Sequence, residues 1–420
     1  MIRSCFILPG LLILVACKAT AEREPINCTI PVADKSLSRC ERVRYASEFS
    51  GCLSGNDITE HTCLVMDRNV SFCGSQTSVP ITAHFNESGK SLDCKGGSID
   101  HGWGRIKLAQ GPATTQAKRS PGIRLVEDVS LSDLTVRNCT IRGTNHMGIK
   151  ASRFFGGQLG GDGIISGAEK LPVGHRQLRF ENLKIEDTIT GVFLGNFSAD
   201  VTLSNVHIDN SQRIALYSEA GSHRIVLTDS IISNNQTREA VAIDSTYDSQ
   251  ISNTVFINNR EGAINVYQNC GELKGIVCPV IRSTPSNNNL ISNNRFIDNG
   301  VSGLQIASRQ GRKHSKGWCA TLDGERGRFV DNAQHNVITN NTFVCHEGTS
   351  LKVHDAPNRI SGNTIVAREN CVPYEISTGG LSAKYRYVLD GLTFKSNRID
   401  THRPPRLRNL STRIAVSDNN

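Results

Sequence analysis

The chain is poor in aromatic side chains, which make up 5% of its 420 residues and include only two tryptophans. Surfaces that hold single-stranded nucleic acid stack bases on rings. The formal charge of +8 therefore points to an anionic polysaccharide rather than to nucleic acid as the acidic partner. Long apolar runs are also scarce. The run from Phe6 to Ala16 in "MIRSCFILPGLLILVAC" is too short for a permanent membrane helix. Behind the basic Arg3 it suits the apolar region of a secretory signal. No CxxC pair occurs, which removes the usual zinc-finger spacing and argues against metal ligation by cysteine.

The motif "LVAC" resembles a bacterial lipobox, in which Cys17 is lipidated and becomes the mature N-terminus, and Lys18 fits outer-membrane sorting. A competing cut follows Ala21. One acyl chain anchors weakly, whereas the triacyl group of such lipoproteins anchors firmly. The expectation is an extracytoplasmic protein tethered through Cys17 in the outer membrane or periplasm. Without Cys5 and Cys17 twelve cysteines remain, an even number in an oxidising compartment, which predicts structural disulfides. Cys270 and Cys278 are close enough in sequence to staple one loop.

One six-residue template recurs: an apolar residue, any residue, then Asn, Asp, Gly or Ser, two of any kind, and Ile or Phe. Its nine copies are "VRNCTI" from Val136, "FENLKI" from Phe180, "LSNVHI" from Leu203, "LTDSII" from Leu227, "ISNTVF" from Ile251, "ISNNRF" from Ile291, "ITNNTF" from Ile338, "ISGNTI" from Ile360 and "FKSNRI" from Phe394. A second short strand follows most copies, as in "GIKAS", "GVFLG", "ALYSE", "VAIDS", "INVYQ", "LQIAS" and "LKVHD". Each alternates apolar and polar with period two, which marks one buried face. Successive copies from Phe180 lie 23, 24 and 24 residues apart, too close for helical crossovers, so the strands must form a coil stacked on itself.

Through this coil length and the turns "SNN" at 292 and "TNN" at 339, the chain resembles the right-handed parallel β-helix, or pectate-lyase-like, superfamily of carbohydrate-active proteins. The fixed leucine spacing of a leucine-rich repeat is absent. Asparagine tolerates left-handed backbone angles and bonds neighbouring backbone, so turn asparagines can stack from coil to coil. The resemblance implies an all-β solenoid over roughly 92–400, and no catalytic signature of one family stands out. The expected organisation is a signal or lipobox region at 1–21, a cysteine-rich cap at 22–91, the helix at 92–400 and a basic tail at 401–420.

The long steps place extra residues at 153–177, 268–288 and 309–334, at one point of the coil each time. With strands about 4.8 Å apart, the three tight coils between them would make a low floor about 15 Å wide. Such a groove suits a linear polymer held on a rigid scaffold. Alternation turns Val241, Ile264, Leu304 and Leu351 inward, with Ile243, Val266, Ile306 and Val353 two places later. One outward file then holds Lys150, Ala242, Asn265, Gln305 and Lys352, and the next holds Ser152, Ser218, Asp244, Tyr267, Ala307 and His354. Thr246, Asn269 and Arg309 sit at the loop bases, and Glu219 and His223 in a turn.

Breaking a uronate polymer by β-elimination, or inverting it at C5, requires a charge that neutralises the carboxylate and then a base, often with a separate acid. Arg309, Lys150 or Lys352, with the amides of Asn265, Asn269 or Gln305, suit the first task, and Tyr267, His223 or His354 the second. The expected catalytic set is Asp244, Tyr267, Arg309 and His223. The expected substrate-binding set is Lys150, Glu219, Asn265, Asn269, Gln305, Lys352 and His354. The superfamily resemblance also implies a possible Ca²⁺, for which Asp244, Asp248 and Glu219 are the nearest carboxylates. The same floor supports two rival readings: hydrolysis by a pair drawn from Glu219, Glu239 and Asp244, or a lipoprotein that grips polysaccharide without reacting. Bland roles compete throughout. Asp244 could cap the turn in "DST", Tyr267 could stack on a neighbouring rung, and "RQGRKHSKGWC" could be a solvated basic face.

Overall fold

The computed structural model describes residues 42–102, 120–127, 129–152, 174–195, 197–268, 284–312, 328–411 and 413–417. They form a parallel β-helix in which the chain winds repeatedly round three strand-bearing faces. One face is a 13-stranded sheet whose central rungs are Met147–Ser152, Thr190–Gly195, Ile214–Ser218, Val241–Asp244, Ile264–Tyr267, Leu304–Ile306, Thr349–Val353 and Val372–Ile376. Every adjacent pair in it is parallel. The other two faces join into one 21-stranded sheet because the 11-residue strands Arg176–Glu186 and Ala199–Asp209 run unbroken round the shared corner.

That corner explains the repeated sequence template. Its third residue, Asn138, Asn182, Asn205, Asp229, Asn253, Asn293, Asn340, Gly362 or Ser396, has positive φ in all nine copies. Only residues that accept a left-handed backbone can turn the chain there at low cost. The fourth residue then points inward. From the fifth copy onward this position makes a buried ladder: Thr254 N–H bonds Asn294 Oδ1, Asn294 bonds Asn341, Asn341 bonds Asn363, and Asn363 bonds Asn397, with amide contacts of 2.9–3.0 Å. Each Nδ2 also reaches a strand carbonyl, as Asn341 does to Ile291 O. A polar group taken out of water is thereby satisfied in every coil.

The inward residues expected from alternation, among them Val241, Ile264, Leu304, Leu351, Val266, Ile306 and Val353, are fully buried. Phe256, Phe296 and Phe343 stack up the axis with ring centroids 5.0 and 4.5 Å apart. Each such ring contributes about 2–3 kcal/mol on burial.

The ladder extends beyond the expected limits of 92 and 400. Val43–Tyr45, Thr62–Val65 and Ile81–Phe85 are already parallel rungs of the 13-stranded sheet. Arg406–Leu407 and Ala415–Ser417 add rungs at the far end, where a loose tail was expected. Backbone pairing overrode the turn-rich composition at both ends. Disulfides join Cys52 to Cys73, Cys94 to Cys139 and Cys345 to Cys371, each linking positions close on stacked or adjacent turns, and Cys63 is disulfide-bonded as well. Cys17, Cys270 and Cys278 lie outside the described residues. Among those described, no helix is long and apolar enough to cross a membrane.

Candidate functional site

The 13-stranded sheet carries a file of outward residues that register fixes rung by rung: Lys150, Phe193, Tyr217, Ala242, Asn265, Gln305, Lys352, Glu375 and Arg406. The expected members are all present in order. Tyr217 also belongs to it, as the same period-two rule applied to "ALYSE" would have shown. In the next file Asp244 lies directly beside Tyr267. Ser218 does not. It pairs with the inward-facing Ile243, because the "ALYSE" strand starts one residue earlier than assumed, and it is buried against Thr246 at 3.0 Å. That register brings Glu219 in line with Asp244.

A compact polar group straddles these rungs. Tyr217 is half-buried, its edge against Phe193 with centroids 5.5 Å apart, and its hydroxyl donates to Asp244 Oδ2 at 2.9 Å. Asp244 is fully buried and also accepts from Ser245 Oγ at 3.3 Å, so it serves its own turn as well as the tyrosine. Tyr267 is 1% exposed and donates to Glu239 Oε1 at 3.0 Å. Arg238 reaches the same carboxylate oxygen at 3.2 Å. Arg309 places its guanidinium 4.6 Å from the centre of the Tyr267 ring, a cation–π contact strengthened by burial. Ile214, Ala242 and Tyr267, with Tyr217 against them, make a small apolar cluster separate from the helix core.

Burial pushes the Tyr267 phenol well above its ordinary range, and the charges of Asp244 and Glu239 push it further against Arg309 and Arg238. Tyr267 is therefore a neutral donor held beneath the surface, whereas Tyr217 presents its ring to solvent. Glu239 and Arg238 precede the Val241–Asp244 strand at the corner, a position whose strand pattern gave no sign of contact with Tyr267.

Further along the file a second group surrounds His354. Gln305 Nε2 lies 3.5 Å from its Nδ1, and Glu375 Oε1 lies 3.5 Å from its Nε2. The bond to His354 holds the Glu375 carboxyl down at about 2, against the opposing effect of burial. Burial lowers the Lys352 ammonium, offset by Glu375. Asn265 carries a buried Oδ1 that has no hydrogen-bond partner among the described residues. A cavity of about 510 Å³ opens here, lined by Gln305, His354, Glu375, Arg312 and Arg328.

Several expected members sit elsewhere. His223 begins the strand His223–Thr228 on another face, its ring stacked on Tyr247 at 4.9 Å and its Nδ1 3.1 Å from Gly221 O. The turn after Ser218 carries the chain round the corner before His223 is reached, which separates it from Tyr267 and Arg309. Lys150 is in the outward file but pairs with Glu127, itself bridged to Arg124 at 2.8 Å. Among the described residues no three His, Cys, Asp or Glu side chains are grouped to hold a metal, so Asp244, Asp248 and Glu219 do not assemble a Ca²⁺ site. Asn269 and most of the three expected loop walls, at 153–173, 269–283 and 313–327, lie outside the described residues.

Asp331 had no sequence signal and lies at the base of this group. It is fully buried, with Oδ1 accepting from Gln268 N–H at 2.6 Å and Oδ2 from Arg309 N–H at 2.8 Å.

A family model described as a right handed beta helix region matches residues 121–283. A search of curated protein sequences finds no match. Among solved structures, a mutant of the periplasmic alginate epimerase AlgG is similar at 9% identity and a TM-score of 0.53, covering 90% of this chain and 84% of that one. The A-module of the Azotobacter vinelandii mannuronan C-5 epimerase AlgE6 is 13% identical with a TM-score of 0.49, covering 89% and 97%. An alginate lyase from Paenibacillus sp. str. FPU-7 is 15% identical with a TM-score of 0.38, covering 80% and 99%. At these identities the likeness is one of fold, that of the right-handed parallel β-helix.

Proposed function

We propose that the chain binds an acidic, uronate-containing polysaccharide along the outward face of the 13-stranded sheet and removes its C5 proton, leading to β-elimination or to C5 epimerisation. The observation that carries this reading is the half-exposed Tyr217 hydroxyl held at 2.9 Å by the buried Asp244, which lies one rung from Tyr267, the ring that the Arg309 guanidinium covers. A tyrosine oxygen that takes the C5 proton can release its own phenolic proton to Asp244, so the pair, singly negative at the start, ends neutral as phenol and carboxylic acid. The negative charge then spreads onto the uronate carboxylate, where Arg309 and Arg238 supply fixed positive charge in a poorly hydrated setting. Tyr267 supports this arrangement from below, because its hydroxyl is committed to Glu239. Gln305, Lys352 and His354 extend the binding track toward Glu375 and Arg406. The protein of TM-score 0.53, in which a comparable solenoid is found, is named as an alginate epimerase.

The hydrolase reading rests on a different observation. Asp244 and Glu239 are two buried carboxylates, each held by a tyrosine hydroxyl, as a glycosidase pair would need to be held. In either reading the protein works outside the cytoplasm, tethered through Cys17, in keeping with its disulfides. Incubation of the purified protein with a panel of uronate polymers separates the possibilities. Ultraviolet absorbance from unsaturated uronate ends marks a lyase. A changed proton NMR spectrum without chain cleavage marks an epimerase, and reducing ends without unsaturation mark a hydrolase. Retention on immobilised polymer without any product marks a binding module, and neither retention nor product on any polymer overturns the proposal.

A further inference from the structure

Asp331 has no place in the chemistry above, yet its contacts converge on the two segments that flank it. Gln268 follows Tyr267 directly, and its N–H donates to Asp331 Oδ1; the N–H of Arg309 donates to Asp331 Oδ2. The surrounding bonds tighten the junction. Asp331 N–H donates to Gln310 Oε1 at 2.7 Å, Gln310 Nε2 donates to His354 O at 3.0 Å, and Asn332 Nδ2 donates to Gln268 Oε1 at 2.6 Å. A single carboxylate thus joins the chain just beyond Tyr267 to the residue whose guanidinium lies over the Tyr267 ring.

We propose that Asp331 is a positioning residue that clamps the backbones at Gln268 and Arg309 together and so holds the Arg309 guanidinium against Tyr267. As a part of the polymer-cleaving or epimerising site, this role rests on the function proposed above; as a clamp, it does not. Two ionised-carboxylate oxygens, each taking one N–H, hold the two backbones more strongly than a neutral acid does, since protonation removes the charge and takes up one acceptor position.

The clamp has a built-in sensitivity to pH. Burial raises the Asp331 carboxyl to about 7, opposed by the N–H groups of Gln268 and Arg309 and by the Arg309 charge, and reinforced by Asp244. Asp355 and Arg312 are the other charged groups acting on it. Asp355 is itself buried and raised well above its ordinary range, with its carboxylate accepting from Ala333 N–H at 2.9 Å. The folded state therefore takes up a proton at Asp331 as pH falls through about 7, while the unfolded chain does so only near 3.8. By linkage this group makes the fold more stable as pH falls over that window, at the same time as the clamp loosens.

Amide hydrogen exchange tests the clamp without any substrate. Asp331→Asn keeps one acceptor oxygen and loses the other, and is expected to speed exchange at least tenfold at one or both of the Gln268 and Arg309 amides. The Ala263 and Ile264 amides, bonded to Ser302 and Gly303, should not change. Equal protection of Gln268 and Arg309 in the variant and the unaltered protein would overturn the proposal. If the variant does not fold, the unaltered protein is measured on both sides of pH 7, with rates corrected for the intrinsic pH dependence. Loss of protection at those two amides on the acid side supports the clamp, and its retention overturns it. With an active polymer in hand, Asp331→Asn should lower kcat more than it raises KM and should flatten the pH profile near neutrality. A protein inactive on every uronate polymer, yet showing the exchange result, would remove the functional reading and leave the clamp standing.

Discussion

Two buried polar assemblies in this helix are built on opposite principles. The corner ladder of Asn294, Asn341, Asn363 and Asn397 repeats one neutral side chain, and each amide does the same thing to its neighbour. The group around Tyr217, Asp244, Glu239, Tyr267 and Arg309 uses five side chains of three chemistries, drawn from successive coils, and apart from two tyrosine-to-carboxylate bonds its contacts do not repeat. A repeated neutral network gives every coil the same support and carries no information about position along the axis. A charged network that is not repeated costs desolvation which an apolar replacement would avoid, and that cost is what marks those rungs as the proposed place for chemistry.

The sharpest test of that contrast is Arg309→Ala. Activity on a responsive polymer should fall about 100- to 1000-fold, the usual loss when one preorganised charge is removed from a reacting site, while the urea midpoint moves little. A collapse of stability with kcat intact would reverse the assignment. Asn341→Ala, from the other assembly, removes an acceptor shared by the buried N–H and Nδ2 of Asn294. It should cost about 2–6 kcal/mol in urea unfolding, since each orphaned donor costs about 1–3 kcal/mol, and the protein that remains folded should turn over normally. Asp244→Asn leaves shape intact, so it should lower activity about 100-fold by removing the acceptor of the Tyr217 proton, while the one lost acceptor oxygen should cost about 1–3 kcal/mol in stability. The smallest expected effect is a pH slope. The fold holds Glu375 at about 2, below its ordinary 4.5, so its contribution is complete above 4.5 and is lost as pH falls through 2. Thermal melts across that range should show the slope, Glu375→Gln should remove it, and Asn341→Ala should keep it.

Much of the scaffold was legible because its constraints are local. The residue that must turn left-handed is the third of each template copy, and Asn, Asp, Gly and Ser mark it openly. The inward alternation of Val241, Ile264, Leu304 and Leu351 is equally local. The candidate site was readable where it shared those rules, in Asp244 beside Tyr267 and in the file of Asn265, Gln305 and Lys352, and Arg309, expected in the same set from its loop base, does lie over Tyr267. Tyr217 lay within reach of the same rule and was lost through a one-residue misplacement of "ALYSE". The bond from Tyr267 to Glu239 and the Asp331 contacts span 28 and 63 residues and depend on where corners fall in three dimensions, which periodicity does not encode. His223 shows the converse error, since nearness in sequence to Ser218 said nothing about the corner between them.

The left-handed column at the corner acts as a reading frame for the whole solenoid. Inside the six-residue template, a short insertion or deletion would move another residue onto the position that requires positive φ, a conformation bulky side chains resist. Removing 227–250 whole would instead bring Ile251 to the place of Leu227 and leave every remaining frame mark in step, while taking Glu239 and Asp244 with it. Within the strands and corner, though not in the loops, length can therefore be changed only in quanta of one coil, and one such quantum carries both carboxylates proposed for the chemistry.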